Sequence, residues 1–172
     1  MEQVILIDTE DTVIGAEEKL MAHRRGLLHR AFSVLIFNSK KEMLLQKRAT
    51  TKYHSGGLWT NACCGHPRPG EDTMSAAHRR LQEEMGFECE LGFLYKFTYR
   101  AQLGEFTEHE CDHVFVGYFD GIPEPDPAEA EGWTARPVRE IIADAERNPE
   151  RYTFWFRLIL ENSDFRKYLS NL

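Results

Sequence analysis

The stretch WTNACCGHPRPGE, Trp59 to Glu71, places two thiols, Cys63 and Cys64, beside the imidazole of His66 and then enters a loop of glycine and proline. A packed core has little use for Cys-Cys-Gly-His. Glycine removes a side chain where the backbone must turn or approach a neighbour closely, and proline stiffens a loop. A thiol and an imidazole held together in this way serve metal ligation or a reactive sulfur. Elsewhere AHRRGLLH contributes His23 and His29, and TEHEC contributes Glu108 and Glu110. In a strand, Glu108 and Glu110 share one face and His109 takes the other. Two carboxylates so placed repel one another unless a cation lies between them. Three imidazoles and two carboxylates suit a divalent transition metal better than Mg²⁺ alone. His54, His78, His109 and His113, each taken singly, read as surface or core hydrogen-bonding residues.

A second pattern runs from Gly65 to Phe87. Gly65 is followed by Glu71, Arg79, Leu81, Glu83, Glu84, Gly86 and Phe87 at the spacing of a Nudix box. In it a loop enters a helix whose end offers Glu83 and Glu84 as hard oxygen ligands to Mg²⁺, and magnesium held there gathers a diphosphate. The competing reading is a solvated helix with Arg80 and Glu84 as an i,i+4 pair, which leaves the rest of the spacing unexplained. One position departs from the box: Arg80 stands where Nudix hydrolases carry a glutamate. That exchange removes a carboxylate from a multi-metal phosphate-splitting site and adds a guanidinium suited to gripping phosphate.

The elements that must position these groups are legible in outline. QVILID and TVIG form a short hairpin, and EEKLMAHRRGLLHR starts helical and breaks at Gly26. AFSVLIFN is an almost continuous apolar run, as for a strand buried on both faces; MLLQKRA returns beside it, and TTKYHSGGLW is a loop. Thr73 is expected as N-cap and Gly86 as C-terminal stop of a helix, with Ala77, Leu81 and Met85 as an apolar stripe facing a sheet. ELGFLYKFTYRAQ and EHECDHVFVGYFD read as strands, GIPEPDPAEAEG as an acidic proline-rich loop and WTARP as a short strand. VREIIADAERN is a helix and TFWFRLILENSDFRKYL a closing amphipathic helix. The interleaving of strands and helices gives an α/β class.

The 172 residues are read as one domain, 1–172, large enough for a sizeable core. A net charge of -7 argues against nucleic-acid binding through bulk positive charge, yet leaves room for a local basic cluster around an anion. No run reaches the roughly 18 apolar residues of a membrane span, and the first residues carry acids where a signal peptide carries bases. The four cysteines, Cys63, Cys64, Cys89 and Cys111, are expected as reduced thiols in a cytoplasmic protein. None of these patterns assigns an oligomeric state.

HRAFSVLIFN, LLQKRA, LWTNACCGHP, RRLQEEMGF and TEHECDHVF together resemble the type 1 isopentenyl-diphosphate Δ-isomerases, a Nudix-fold branch that shifts a double bond rather than cleaving phosphate. The resemblance runs from Lys19 to the helix containing Trp155. It implies a Nudix-type α/β/α sandwich with a mixed sheet and a small allylic or homoallylic diphosphate as substrate. By the same resemblance Cys64 and Glu110 are catalytic, with the Tyr99 hydroxyl beside Glu110, while Cys63 is a packing residue. His23, His29, His66, Glu108 and Glu110 match ligands of one divalent metal, whether Mn²⁺, Zn²⁺ or Mg²⁺. Glu84 matches the carboxylate serving a substrate-bound Mg²⁺, which the backbone oxygen of Cys64 also approaches. Lys19, Arg48, Lys52 and Arg80 match the cations that hold the diphosphate, and Trp155 an aromatic wall over the hydrocarbon. For Lys52 a solvated loop lysine is a competing reading, and for Tyr99 and Trp155 an ordinary core aromatic.

Two rivals stand beside this reading. A Nudix hydrolase shares the fold and Mg²⁺ but has no use for Arg80 or for the Cys64/His66 pair. A structural zinc site usually draws its ligands in pairs two to four residues apart, whereas these come from distant segments.

Overall fold

The computed structural model describes residues 2–52 and 54–172. Along the chain, β1 (Gln3–Ile7) and β2 (Val13–Glu18) pair as the expected antiparallel hairpin. Glu18 caps α1 (Lys19–Arg25) by accepting from the Leu20 and Met21 amides, and Gly26 ends it in the left-handed region at φ 60°. There follow β3 (His29–Phe37), β4 (Glu42–Arg48), the short β5 (Trp59–Thr60) and β6 (Cys63–Gly65), and α2 (Thr73–Met85). The second half comprises β7 (Leu91–Leu103), β8 (Phe106–Tyr118), β9 (Ala130–Pro137), α3 (Val138–Arg147), α4 (Phe154–Glu161) and α5 (Ser163–Ser170).

The strands form one mixed sheet. β8 runs parallel to β3 along its whole length, His29 opposite Glu110 through Phe37 opposite Tyr118. The other edge of β3 is therefore shared end to end by three antiparallel partners: β1 at His29, β6 at Phe32 to Val34, and β4 at Phe37. β7 closes against β8, and β9 against β4. This central strand is buried on both faces, as its apolar run requires. Leu35 and Phe37 enter a core with Ile141 of α3, Phe156 and Ile159 of α4 and Phe165 of α5. Phe32, Val34 and Ile36 enter the opposite core with Ala76, Ala77, Leu81 and Met85 of α2. Helices on both faces of a mixed sheet make the α/β/α sandwich expected from the sequence, each buried large apolar side chain stabilising it by about 1.5–3 kcal/mol.

Local expectations need three corrections. Asp72, not Thr73, caps α2, its carboxylate accepting from the Ser75 amide at 3.0 Å; a negative cap also complements the helix dipole. The closing helix is two helices, because the Asn162 side chain accepts from the Asp164 and Phe165 amides and opens a new N-terminus. β9 begins at Ala130, before the expected WTARP, since its ladder with β4 extends to Arg48.

Candidate active site

A cavity of about 400 Å³ lies over the ends of β3, β6 and β8, walled by α1, the end of α2 and the start of α4. Sheet register builds its centre. Glu110 of β8 stands opposite His29 of β3 on one side and Tyr99 of β7 on the other. His66 Nε2 lies 2.9 Å, His29 Nε2 3.3 Å and His23 Nε2 3.6 Å from the same Glu110 oxygen, Oε1. His23 arrives from α1, where its Nδ1 donates to the Lys19 carbonyl at 2.7 Å, and His29 Nδ1 donates to the Leu27 carbonyl at 2.8 Å. A backbone carbonyl only accepts, so each Nδ1 carries a proton and each Nε2 is the nitrogen turned inward.

Histidines held by their outer nitrogen, with the inner nitrogens on one point, are the pattern of a metal site. The four ligand atoms of His23, His29, His66 and Glu110 lie within 4.8 Å of one another. Burial lowers His66 to about 4, against the pull of Glu110, so its ring is neutral at physiological pH. Burial works against the Glu110 charge too, but the imidazoles of His23, His29 and His66 around it outweigh burial and hold the carboxyl ionised. Three imidazoles and a carboxylate fit a divalent transition metal.

Glu108 sits one step along the same face in a different environment. Its Oε1 is 3.3 Å from His54 Nε2. The Tyr99 hydroxyl lies 3.0 Å from Glu108 Oε2 and 2.8 Å from Glu110 Oε2, bridging the two carboxylates with its single proton. Burial, and then the charge of Glu110, push Glu108 well above the usual carboxylate range. Among the described residues, Glu108 groups with His23 and His54 rather than with His29, His66 and Glu110.

Cys64 faces this centre from β6, where its backbone pairs with Ser33. Burial raises its thiol from 9 to about 12, although Arg48 pulls the other way, so at neutral pH it is a protonated sulfur. Arg48 ends β4 with its guanidinium 3.9 Å from Cys64 Sγ and 5.2 Å from the centre of the Trp155 ring. Cys63 alternates into the core and is fully buried, as a packing residue should be.

The remaining cations each meet an acid. Lys19 lies 3.1 Å from Glu2, and Lys52 pairs with Glu129. Arg80 reaches Glu83 at 2.7 Å, Glu84 at 2.6 Å and Glu129 at 3.1 Å, while Gln46 Nε2 donates to the other oxygen of Glu84 at 2.9 Å. Lys19, Arg48, Lys52 and Arg80 all line the cavity, so Lys52 is a pocket residue rather than a solvated loop lysine. Glu71 of the Nudix box takes a different part: Arg79 donates to both its oxygens, at 2.7 and 2.8 Å, tying the loop after His66 to α2.

Sequence reasoning passed over several groups in the cavity, among them His54 and Asp112. His54, read singly as an ordinary histidine, packs edge-on against Trp155 at 5.9 Å and meets Glu108; nothing in its local sequence marks it, because a loop delivers it. Asp112 is buried, lines the cavity and accepts from Ser33 Oγ at 2.8 Å. Burial, then the Glu110 charge, raise it to about 8. Extending the Glu108, Glu110 alternation by one step would have found it. His78, His109 and His113 stay outside; His109 Nδ1 meets the Gly26 carbonyl and His113 Nε2 meets Asp11.

Comparison with known proteins agrees with the geometry. The NUDIX domain model matches residues 27–156. An isopentenyl-diphosphate Delta-isomerase of Serratia proteamaculans is 52% identical over 162 residues, 94% of this chain and 90% of the relative. An isopentenyl-diphosphate Delta-isomerase 1 of Aromatoleum aromaticum is 52% identical over 161 residues, covering 93% and 91%. Among solved structures, a Deinococcus radiodurans protein superposes with a TM-score of 0.79 at 17% identity, over 93% of this chain and 98% of that one. The MutT protein of Methanosarcina mazei Go1 gives 0.68 at 22% identity, over 82% and 95%. At such identities these two likenesses speak to the fold alone. No helix among the described residues is long and apolar enough to cross a membrane.

Proposed function

The chain belongs to the isopentenyl-diphosphate Δ-isomerase family of NUDIX-domain proteins, and from that premise we propose that it interconverts isopentenyl diphosphate and dimethylallyl diphosphate through a tertiary carbocation, feeding isoprenoid biosynthesis. In the forward direction a proton adds to the terminal CH₂ carbon of the alkene and becomes part of a methyl group. The positive charge falls on the tertiary carbon, a proton leaves the neighbouring CH₂, and its bonding pair becomes the new double bond. The site must therefore supply a donor, an acceptor and dryness.

Cys64 and Glu110 are the two proton-transfer groups, and which gives and which takes depends on direction. The observation that carries this reading is the convergence on Glu110 of three imidazoles and the Tyr99 hydroxyl, in one cavity with the Cys64 thiol. His23, His29, His66 and Glu110, with Glu108 alongside, would hold a divalent metal, Mn²⁺, Zn²⁺ or Mg²⁺, whose charge would make the Glu110 carboxyl a stronger acid. Tyr99 orients that carboxyl by donating to it. The face of Trp155 stabilises the developing cation and excludes water, with Arg48 fixing the ring from one side. Lys19, Arg48, Lys52 and Arg80 bind the diphosphate; a Mg²⁺ carried with it would meet Glu84 and the Cys64 carbonyl and neutralise the remaining charge. Four free thiols fit the reducing cytoplasm, where we place the reaction, carried out by one domain.

Incubation with isopentenyl diphosphate and Mg²⁺, following both dimethylallyl diphosphate and free phosphate, tests the proposal, with Cys64→Ala alongside. Isomer without phosphate release, lost in the variant, is expected. Phosphate release, or full activity in the variant, would return the chain to the hydrolases.

A further inference from the structure

Glu129 stands in the cavity and has no part in the proton transfers. It closes the acidic proline-rich loop before β9, and each of its carboxylate oxygens is assigned to a cation: Oε2 to Lys52 and Oε1 to Arg80, the latter at 3.1 Å. These are two of the four groups placed around the diphosphate. A carboxylate engaging an ammonium and a guanidinium at once occupies the position of a phosphate oxygen pair. Its backbone is pinned on both sides of the side chain, the Glu129 amide donating to the Asp126 carbonyl and the Glu129 carbonyl accepting from the Ala49 amide, both at 2.9 Å. The side chain is 20% exposed and so has a path to water. Burial opposes the Glu129 charge, but Lys52 and Arg80 lower its carboxyl and keep it ionised.

We infer that Glu129 is a built-in counter-anion: it keeps Lys52 and Arg80 ordered in the cavity, and the incoming diphosphate must displace it, so that Glu129 sets the affinity of the site for phosphate anions. The inference rests on the isomerase reading only for which diphosphate is the natural one. A diphosphate brings more charge than one carboxylate and displaces it favourably, whereas an anion of lower charge gains less from the exchange. Glu129 thereby biases the site toward diphosphate over single phosphates.

Titration calorimetry with inorganic pyrophosphate and with orthophosphate, in Mg²⁺ buffer, on wild-type protein, Glu129→Gln and Glu131→Gln provides the test. Glu131 pairs with Lys47 at 3.2 Å outside the cavity and controls for net charge. Glu129→Gln is expected to bind pyrophosphate about three- to tenfold more tightly and to gain more for orthophosphate, with Glu131→Gln at the wild-type value. The sign is decisive, because a merely structural role would weaken binding. Unchanged or weaker binding in Glu129→Gln, or an equal gain in Glu131→Gln, would overturn the inference. Should Glu129→Gln fail to fold, Glu129→Asp, whose shorter carboxylate draws back from both cations, is expected to show a smaller gain, and no gain overturns the inference equally. Tighter anion binding in a protein that turns over no isopentenyl diphosphate would remove the isomerase reading alone; isomerisation without the gain would remove this inference alone.

Discussion

Tyr99 and Glu110 are direct cross-strand partners, and the Tyr99 hydroxyl lies 2.8 Å from Glu110 Oε2 while three imidazoles crowd its other oxygen. The two oxygens of one carboxylate are thus given separate duties by sheet register. One faces the histidines, and the other is steadied by a phenol that also bridges to Glu108.

Tyr99→Phe removes that donor and leaves Glu108 and Glu110 facing one another. A hydrogen bond to a charged group is worth about 1.5–3 kcal/mol, so kcat for isomerisation is expected to fall about ten- to hundredfold, with the melting temperature lowered by several degrees. Wild-type turnover in Tyr99→Phe would reduce Tyr99 to a core aromatic.

Cys64 is expected to resist alkylation. With its thiol raised to about 12 by burial, the thiolate fraction at pH 8 is about a thousandfold below that of an ordinary cysteine. Peptide mapping after iodoacetamide treatment should find Cys89 modified before Cys64, since both are partly exposed but burial raises the Cys89 thiol less. Preferential labelling of Cys64 at pH 8 would mean an activated thiolate and a different chemistry.

In metal-depleted protein two buried histidines should contribute a loss of stability in mild acid. His66 and His54 are pushed by burial from 6.5 to about 4 and about 3. As pH falls below 6.5 the unfolded chain takes up protons that the folded one refuses, so stability is present above 6.5 and drains away toward pH 4. The loss should reach the order of a few kcal/mol. Denaturant midpoints from pH 7.5 to 4.5, with and without added Mn²⁺ or Zn²⁺, measure it. The metal should raise the midpoint at pH 7.5, and chelator should reverse that rise. Asp112, raised to about 8, and Glu108 act in the opposite sense, so the histidine part is read as the difference between wild type and His54→Asn. Identical pH profiles in the two would contradict a buried neutral His54.

Gly86 ends α2 at φ 74°, and a β-carbon there would come 2.6 Å from the Glu124 carbonyl oxygen. Gly86→Ala is expected to cost about 1–3 kcal/mol from backbone conformation alone, with the contact adding to it. Thermal denaturation should show a drop of several degrees. An unshifted transition would mean that the loop from Glu124 to Glu129 yields freely, against its hydrogen bonds to the end of α2, where Glu124 N meets the Met85 carbonyl and Asp126 N the Glu84 carbonyl.

Much of this protein is written in short-range terms. The apolar run at 31–37 specifies a strand buried on both faces, Gly26 and Gly86 specify helix ends, and the period of two places Glu108 and Glu110 together. These follow from neighbours along the chain, which is why Cys64, His66, Glu84 and Arg80 were recognisable from spacing and type. What the tertiary structure decided is which of these distant groups meet. Parallel pairing of β3 with β8 sets His29 opposite Glu110, and the sharing of one β3 edge among β1, β6 and β4 brings Cys64 beside Ser33. A loop carries His54 to Glu108, and another carries Glu129 between Lys52 and Arg80. Loop-borne contacts have no period to betray them, and their energy depends on partners dozens of residues away. Sequence names the chemistry; long-range register and loop closure choose the partners.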